Sequence, residues 1–98
     1  MKAISTNNAP AAIGPDSQAI EANGTIYVSG QLPINPATGE FAQGGIKAEA
    51  RQSLTNIKNI LAAEGLDMSN VVKVTVLLAD ISYFAEVNEV YAEFFAQP

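Results

Sequence analysis

Few side chains in this sequence can carry out chemistry, because it contains neither cysteine nor histidine. Zinc sites built from Cys and His, thiol nucleophiles, Ser-His-Asp triads and haem ligation by histidine are excluded within this chain. Carboxylates, tyrosines, hydroxyls, side-chain amides, five Lys and Arg residues and the backbone are left. Groups of this kind orient a ligand or assist proton transfer, so the candidate residues are polar residues placed where a pocket can form.

Ser29, Gly30 and Gln31 stand at the end of a predicted strand, where the chain leaves the sheet. A serine hydroxyl there can point into a cleft, and a glycine lets a ligand or another backbone approach closely. No base is present to activate Ser29 as a nucleophile, so its predicted role is hydrogen bonding. The alternative is an ordinary turn, which is the common role of a Ser-Gly pair.

Three further polar residues stand out by position. Asn88 falls in or beside the apolar stripe of a predicted helix, where a buried amide needs hydrogen-bond partners. It is predicted either to tie down a loop or to orient a ligand. Asp16 follows Gly14-Pro15 just before a strand, and a solvated loop carboxylate is the simpler interpretation. Arg51 is the only arginine, and its place beside a helix stripe predicts a surface charge.

The charge pattern argues against nucleic acid and membrane partners. The formal net charge is −5, and the five basic residues are scattered rather than gathered into a stripe that could neutralise phosphates. No apolar run is long enough to cross a bilayer. The first residues lack the apolar core of a secretory signal, so the expected compartment is the cytosol.

The candidate residues must be positioned by a small set of elements. Residues 17–22 and 25–30 read as two strands joined by Asn23-Gly24, a strong hairpin signal, and a short extra strand is predicted near residues 2–5. Residues 31–45 form a long connection with a turn at Thr38-Gly39. A connection of this length is often functional, and the alternative is a surface loop or a loop that covers a subunit contact.

Two amphipathic helices and one more strand follow. Residues 46–64 and 83–95 have the helical spacing of apolar residues, with Gly65 at the expected C-cap and Asp80 or Ser82 as the cap of the second helix. Residues 71–79 alternate as a strand. The predicted apolar stripes are Ile46, Ala50, Leu54, Ile57 and Leu61 on the first helix, Val72, Val74, Val76 and Leu78 on the strand, and Phe84, Val87, Tyr91 and Phe94 on the second helix.

The order β-β-α-β-α predicts a single α+β domain over residues 1–98. Strands and helices that are each apolar on one side favour a two-layer sandwich, with helices on one face of a ferredoxin-related sheet. A further strand is expected after the second helix, since the pattern otherwise leaves a sheet edge unpaired.

The ordered set of short stretches resembles the Rid family, also called YjgF, of 2-iminobutanoate/2-iminopropanoate (2-aminoacrylate) deaminases. Each stretch is modest, but together they cover nearly the whole chain in order. They are residues 9–15 (APAAIGP), 17–19 (SQA), 27–33 (YVSGQLP), 36–40 (PATGE), 50–56 (ARQSLTN), 72–78 (VKVTVLL), 84–91 (FAEVNEVY) and 94–95 (FF).

The resemblance implies a chorismate-mutase-like fold, a homotrimer and pockets in the clefts between subunits. It also implies hydrolysis of reactive enamines and imines to 2-oxo acids and ammonia, without a metal or an organic cofactor. Carried onto this sequence, the catalytic positions are Ser29 and Asn88. The substrate-binding positions are Asp16, Gly30, Gln31 and Phe84, of which Phe84 lines the wall.

This sequence departs from the family pattern in two ways. A tyrosine that points into the family's pocket is replaced by Asp16, whose charge should weaken or redirect the binding of an anionic substrate. The family's substrate-clamping arginine and water-positioning glutamate belong to two later strands, and this chain ends at Pro98 before either. We therefore expect low or absent activity from the 98 residues, which look C-terminally truncated.

Three other interpretations stay open. A non-catalytic module of the same fold would bind small carboxylates or a partner protein. An endoribonuclease or translation inhibitor is disfavoured by the acidic balance and the absence of histidine. An incomplete gene product or partial chain is the third, and its exposed sheet edge would invite aggregation.

Overall fold

The computed structural model describes residues 1–96 as a small sheet, a separate hairpin and two helices. None of the helices in this part of the chain combines the length and apolar character needed to span a membrane. The elements are β1 (Lys2–Ile4), β2 (Ala19–Ala22), β3 (Thr25–Val28), β4 (Ile34–Asn35), β5 (Glu40–Phe41), α1 (Ile46–Ala62) and α2 (Phe84–Phe94), with 3₁₀ turns at Met68–Asn70 and Ile81–Tyr83.

The predicted hairpin is present and centres the sheet. β2 and β3 pair antiparallel from Ala19 opposite Val28 to Ala22 opposite Thr25. Asn23 and Gly24 have φ values of 53° and 79°, the backbone that a two-residue hairpin turn requires and that Asn-Gly accepts. β1 pairs with the other edge of β2, so the short N-terminal strand is confirmed and the sheet order is β1-β2-β3.

One face of the sheet packs against the helices. Ile4 and Ala19 are directly opposite each other on β1 and β2, and both are buried with Ile60 of α1. Ile26 and Val28 of β3 pack against the same layer. Tyr27 points the other way and is 63% exposed, which confirms the predicted alternation and the two-layer arrangement.

α1 ends as its sequence predicts. Gly65 has φ 72°, and its N–H donates to the carbonyl of Ala62 at 3.0 Å. The N–H of Leu66 reaches back to the carbonyl of Leu61, also at 3.0 Å. These two bonds form a Schellman motif, which satisfies carbonyls that the last helical turn leaves free.

α2 packs alongside α1 and buries part of the predicted stripe, together with Val90, which lies outside it. Val87 and Val90 are its buried residues, whereas Phe84 is 58% exposed. Prediction placed Phe84 in the stripe because its spacing from Val87 fits a helix. The helix begins only at Phe84, directly after a 3₁₀ turn, and this residue borders an apolar groove rather than the core.

The predicted strand at residues 71–79 is wrong for the structure as it stands. No strand is assigned there, and within residues 1–96 no segment pairs with it. Val72 is 95% exposed and Leu77 is 90% exposed. A strand is defined by hydrogen bonds to a neighbour, so its alternating sequence is not enough to form one. The hairpin of β4 and β5, by contrast, lies inside the segment predicted as a plain connection.

Candidate functional site

Ser29 is fixed at the end of β3 by contacts with the segment that leads into β2. Its hydroxyl donates to the carbonyl of Ser17 at 2.7 Å, and its backbone N–H donates to the carbonyl of Gln18 at 3.0 Å. The side-chain amide of Gln31 donates to the carbonyl of Ser29 at 3.3 Å. The hydroxyl proton of Ser29 is thereby committed, and its oxygen faces outward as an acceptor for a ligand N–H or a water.

A polar cleft of about 320 Å³ opens beside Ser29, between the N-terminal segment and the approach to β2. Ser17, whose carbonyl Ser29 contacts, is part of its wall. Asp16 stands exposed at the cleft, with its backbone N–H bound to the carbonyl of Gly14 at 2.9 Å. The wall consists of Ala3, Ile4, Ser5, Thr6, Asn7, Ala11, Ala12, Asp16, Ser17 and Gln18.

Gln18 anchors the loop that forms this cleft. The residue is only 5% exposed, and its amide donates to the carbonyls of Thr6, Ala9 and Pro10 at 3.0, 3.2 and 2.8 Å. Its oxygen accepts from the N–H of Thr6 at 2.7 Å. A buried amide that satisfies four backbone groups gives the loop one geometry. This role was not predictable from the sequence, because a glutamine beside a strand gives no sign of what its side chain contacts.

Gly30, which follows Ser29, is exposed, and Gln31 after it is half-buried. A Cβ atom added at Gly30 would meet nothing within 4 Å. The open space over Gly30 is therefore available to a ligand, as the sequence suggested, but no contact within the chain requires a glycine there.

Asn56 is a second buried amide, and sequence reasoning missed it as well. It is fully buried on α1, and its Nδ2 donates to the carbonyls of Leu32 and Ile34 at 3.2 and 3.0 Å. Its Oδ1 accepts from the amide of Gln52 at 2.9 Å. Asn56 thus binds the chain that follows Gln31 to the helix layer. Its place four residues before Ile60, which is also fully buried, was the available signal.

Phe84 lines a different cavity. It borders an apolar groove of about 360 Å³ together with Val76, Leu78 and Ile81. Asn88, one turn further along α2, is exposed, and no hydrogen bond among residues 1–96 involves its side chain. Asn88 is therefore not the buried amide that its position in the stripe suggested.

The candidate residues accordingly form two groups within one chain. Asp16 borders the polar cleft, and Ser29, followed by Gly30 and Gln31, is hydrogen bonded to Ser17 of the cleft wall. Phe84 and Asn88 lie on α2, and no hydrogen bond of the described residues connects them to Ser29. The cavity that Phe84 borders and the polar cleft that Asp16 borders share no lining residue.

Arg51 is committed elsewhere, as its predicted place on the helix surface suggested. Its guanidinium contacts the carboxylate of Glu93 with two hydrogen bonds, which raise the pKa of Arg51 and lower the pKa of Glu93. Lys47 makes a similar pair with Glu89 one turn earlier. Residues 1–96 contain no group of three or more carboxylates placed to hold a metal ion.

The polar cleft can therefore hold a small ligand by hydrogen bonds and position a water. It offers hydroxyls, backbone groups and one carboxylate, but no strong base and no activated nucleophile. Such a set suits a substrate that is already electrophilic and needs orientation more than activation.

Comparison with known proteins gives a consistent result. The family model described as "Endoribonuclease L-PSP" matches residues 6–98. A 2-iminobutanoate/2-iminopropanoate deaminase from Bos taurus is 58% identical over 94 residues, which cover 96% of this chain and 69% of that protein. The Homo sapiens protein of the same name is 52% identical over 94 residues, with the same two coverages.

Solved structures match equally well. RidA from the Antarctic bacterium Psychrobacter sp. PAMC 21119 superposes with a TM-score of 0.93 at 44% identity, covering 100% of this chain and 79% of that one. E. coli TdcF with bound serine gives a TM-score of 0.91 at 42% identity, covering 97% and 74%. The predicted α+β fold class is confirmed by these neighbours.

Proposed function

Because the chain belongs to the Rid family, the family of the endoribonuclease L-PSP model, we propose that it hydrolyses reactive enamines and imines of short 2-amino acids. The substrates are 2-aminoacrylate with its tautomer 2-iminopropanoate, and 2-iminobutanoate. Water adds to the imine carbon, the carbon–nitrogen bond breaks, and a 2-oxo acid and ammonia leave. The observation that carries the proposal is 58% identity across 96% of the chain to a deaminase of this name.

The polar cleft supports this chemistry. An imine carbon is electrophilic without help, so the protein has to hold the substrate and place a water in line with that carbon. The oxygen of Ser29 is available to accept from the imine N–H or from that water, since its own proton is bound by Ser17. Gly30 leaves room for the substrate to lie against the backbone.

We propose that the complete site forms between subunits of a homotrimer. Ser29 would come from one subunit and Asn88 with Phe84 from its neighbour, because the two groups have no hydrogen-bond connection within one chain. The sheet face that carries Tyr27 supports the assembly. It is turned away from the helices and is 63% exposed at Tyr27, so an apolar surface is available for a second copy.

We propose that a polypeptide of these 98 residues hydrolyses the imine substrates only slowly. Gripping a substrate carboxylate strongly calls for a bidentate arginine. Arg51 is the one arginine, and it is bound to Glu93 on the outer surface of the helices. A cytosolic location likewise stays a prediction from the sequence.

The test combines turnover with the assembly state. A serine or threonine dehydratase generates 2-aminoacrylate or 2-iminobutanoate, and release of 2-oxo acid is followed with and without the chain. Light scattering is expected to give about three times the chain mass of 10.3 kDa. A slow but measurable acceleration that disappears in Ser29→Ala, with the trimer intact, is the expected result.

Two outcomes favour other functions. Calorimetric binding of 2-oxobutyrate without any acceleration would indicate a non-catalytic module that binds small carboxylates. Cleavage of single-stranded RNA would favour the activity in the family description, which the net charge of −5 opposes. No acceleration and no trimer would overturn the proposal.

A further inference from the structure

The polar cleft carries a single formal charge, and that charge is negative. Among its wall residues Asp16 is the only ionisable side chain, and the others are hydroxyls, amides and small apolar groups. No salt bridge among residues 1–96 involves Asp16, since the ion pairs there join Lys2, Lys47 and Arg51 to glutamates. The carboxylate of Asp16 is therefore free to meet a ligand.

The loop opposite Asp16 is held in place from two sides. Gln18 is only 5% exposed, and its side-chain amide donates to three carbonyls of the loop. Asn59 of α1 donates its Nδ2 to the carbonyl of Asn8 at 2.8 Å. Because the Gln18 amide is bound to backbone groups of the loop and Asn59 reaches the loop from α1, the wall keeps its shape without using the carboxylate of Asp16.

A cleft with this charge discriminates between the two ends of a ligand. A carboxylate placed beside Asp16 is repelled, whereas an ammonium or guanidinium gains an ion pair and hydrogen bonds. The hydroxyls of Ser5 and Thr6 and the amide of Asn7 add neutral acceptors on the same wall. The cleft is thus suited to a positively charged group.

We propose that the cleft at Asp16 is a specificity site for the cationic side chain of the substrate, so that the chain prefers 2-imino acids that carry a distal guanidinium or ammonium. This inference rests on the proposed deaminase function, because the ligand is a substrate only if the chain hydrolyses it. The ligand preference itself rests on the cleft alone.

Binding of two matched probes tests the preference without turnover. L-arginine and L-citrulline have the same length and shape, and they differ in a guanidinium against a neutral urea. Arginine is expected to bind about fivefold more tightly than citrulline at low salt, the ratio that an exposed ion pair can supply. Nuclear magnetic resonance titration of the chain measures both affinities, and 0.5 M salt should reduce the ratio towards one.

Two variants locate the effect. Asp16→Asn should bring arginine to the affinity of citrulline, while Glu40→Gln, which removes an exposed carboxylate on β5 away from the cleft wall, should leave the ratio unchanged. Equal affinities for the two probes, failure of arginine to bind, or a preference that survives Asp16→Asn would overturn the inference.

Turnover separates this inference from the proposed function. An amino-acid oxidase converts arginine and citrulline to their imines, and the chain's acceleration of 2-oxo acid release is compared for the two. If neither imine nor 2-iminobutanoate is hydrolysed while arginine binding still depends on Asp16, the deaminase proposal fails and the cation site stands. If all are hydrolysed at rates that Asp16→Asn does not change, the deaminase stands and the cation site fails.

Discussion

Arg51 and Glu93 connect α1 and α2 through a two-point contact. Nε of Arg51 donates to Oε1 of Glu93 at 3.2 Å, and Nη2 donates to Oε2 at 2.7 Å. Lys47 and Glu89, each four residues earlier on its helix, repeat the pairing. The same order of partners on both helices means that α1 and α2 run in the same direction, and the single guanidinium of the chain serves their contact rather than the polar cleft.

Arg51→Gln should leave turnover almost unchanged. Because the guanidinium lies on the outer helix surface, 2-oxo acid release is expected to stay within about twofold of that of the unchanged chain. Thermal stability should fall slightly, and less so in high salt, since exposed pairs are screened. Circular dichroism melts and the dehydratase-coupled assay measure both. Loss of turnover with normal folding, and with Glu93→Gln still active, would show that Arg51 binds substrate.

Gly30→Ala should separate activity from stability. A Cβ atom at Gly30 meets no neighbour within 4 Å, so unfolding by urea should change by less than about 0.5 kcal/mol. If substrate lies against this backbone, the methyl group should lower turnover by about tenfold, or about 1.4 kcal/mol of barrier.

Gly65→Ala is the matched control for Gly30→Ala. Gly65 has φ 72° with open space around it, so the added methyl group costs about 1 kcal/mol through backbone conformation alone. Its position at the end of α1 predicts unchanged turnover per folded chain. Equal activity losses in the two variants would remove Gly30 from the site.

Gln18→Met tests the anchor of the N-terminal loop. Methionine has a similar length but binds none of the four backbone groups that the amide satisfies. The free energy of unfolding is expected to fall by about 2–4 kcal/mol, because these groups lose their partner in a buried place. Gln43→Met, at an exposed glutamine, should cost less than about 0.5 kcal/mol. A loss in Gln18→Met no larger than in the control would contradict the structure.

Acid should destabilise the chain through its two capping aspartates. Hydrogen bonds from the backbone and side chain of Ser82 lower the pKa of Asp80 below 3.8, and the side chain and backbone of Ser69 do the same for the pKa of Asp67. As the pH falls, Asp67 and Asp80 therefore bind protons in the unfolded chain before they do so in the folded chain. The stabilisation is complete above about pH 5 and is lost as the pH falls through 3.8 towards the lowered values.

Asp80→Asn provides the comparison for this acid dependence. Asparagine also accepts the hydrogen bond from the N–H of Ser82, which Asp80 accepts at 2.9 Å, but it does not titrate. Urea unfolding at pH 7 and pH 3, followed by circular dichroism, should show a smaller loss of stability for the variant. The same loss in both proteins would mean that the cap does not contribute to the acid dependence.

Local features of the fold were predictable because local chemistry decides them. Asn23-Gly24 accepts a backbone that few residue pairs accept, and the turn occurs where the sequence places it. Gly65 ends α1 for a similar reason. Asp16 and Ser29, chosen from sequence, also stand near each other, since Asp16 borders the polar cleft and Ser29 is hydrogen bonded to Ser17 of its wall.

The remaining features depend on partners that spacing does not reveal. Residues 71–79 have the composition of a strand, but a strand also needs a neighbour, and none pairs with them within residues 1–96. Asn56 and Gln18 look like surface amides in the sequence. Asn56 binds carbonyls that lie 22 or more residues away in the sequence, and Gln18 binds backbone groups up to 12 residues away. These groups reach the two amides only after the chain has folded.

The exposed apolar side chains of Val72, Leu77 and Ile81 have a practical consequence for work with these residues. The three side chains are 95%, 90% and 81% exposed, so an environment-sensitive dye such as ANS should fluoresce strongly with the native chain. A dye-based melt would then start from a bright baseline and could be mistaken for a loosely packed state. The chain should also precipitate at a low concentration of ammonium sulfate. Hydrophobic chromatography should therefore be an effective purification step.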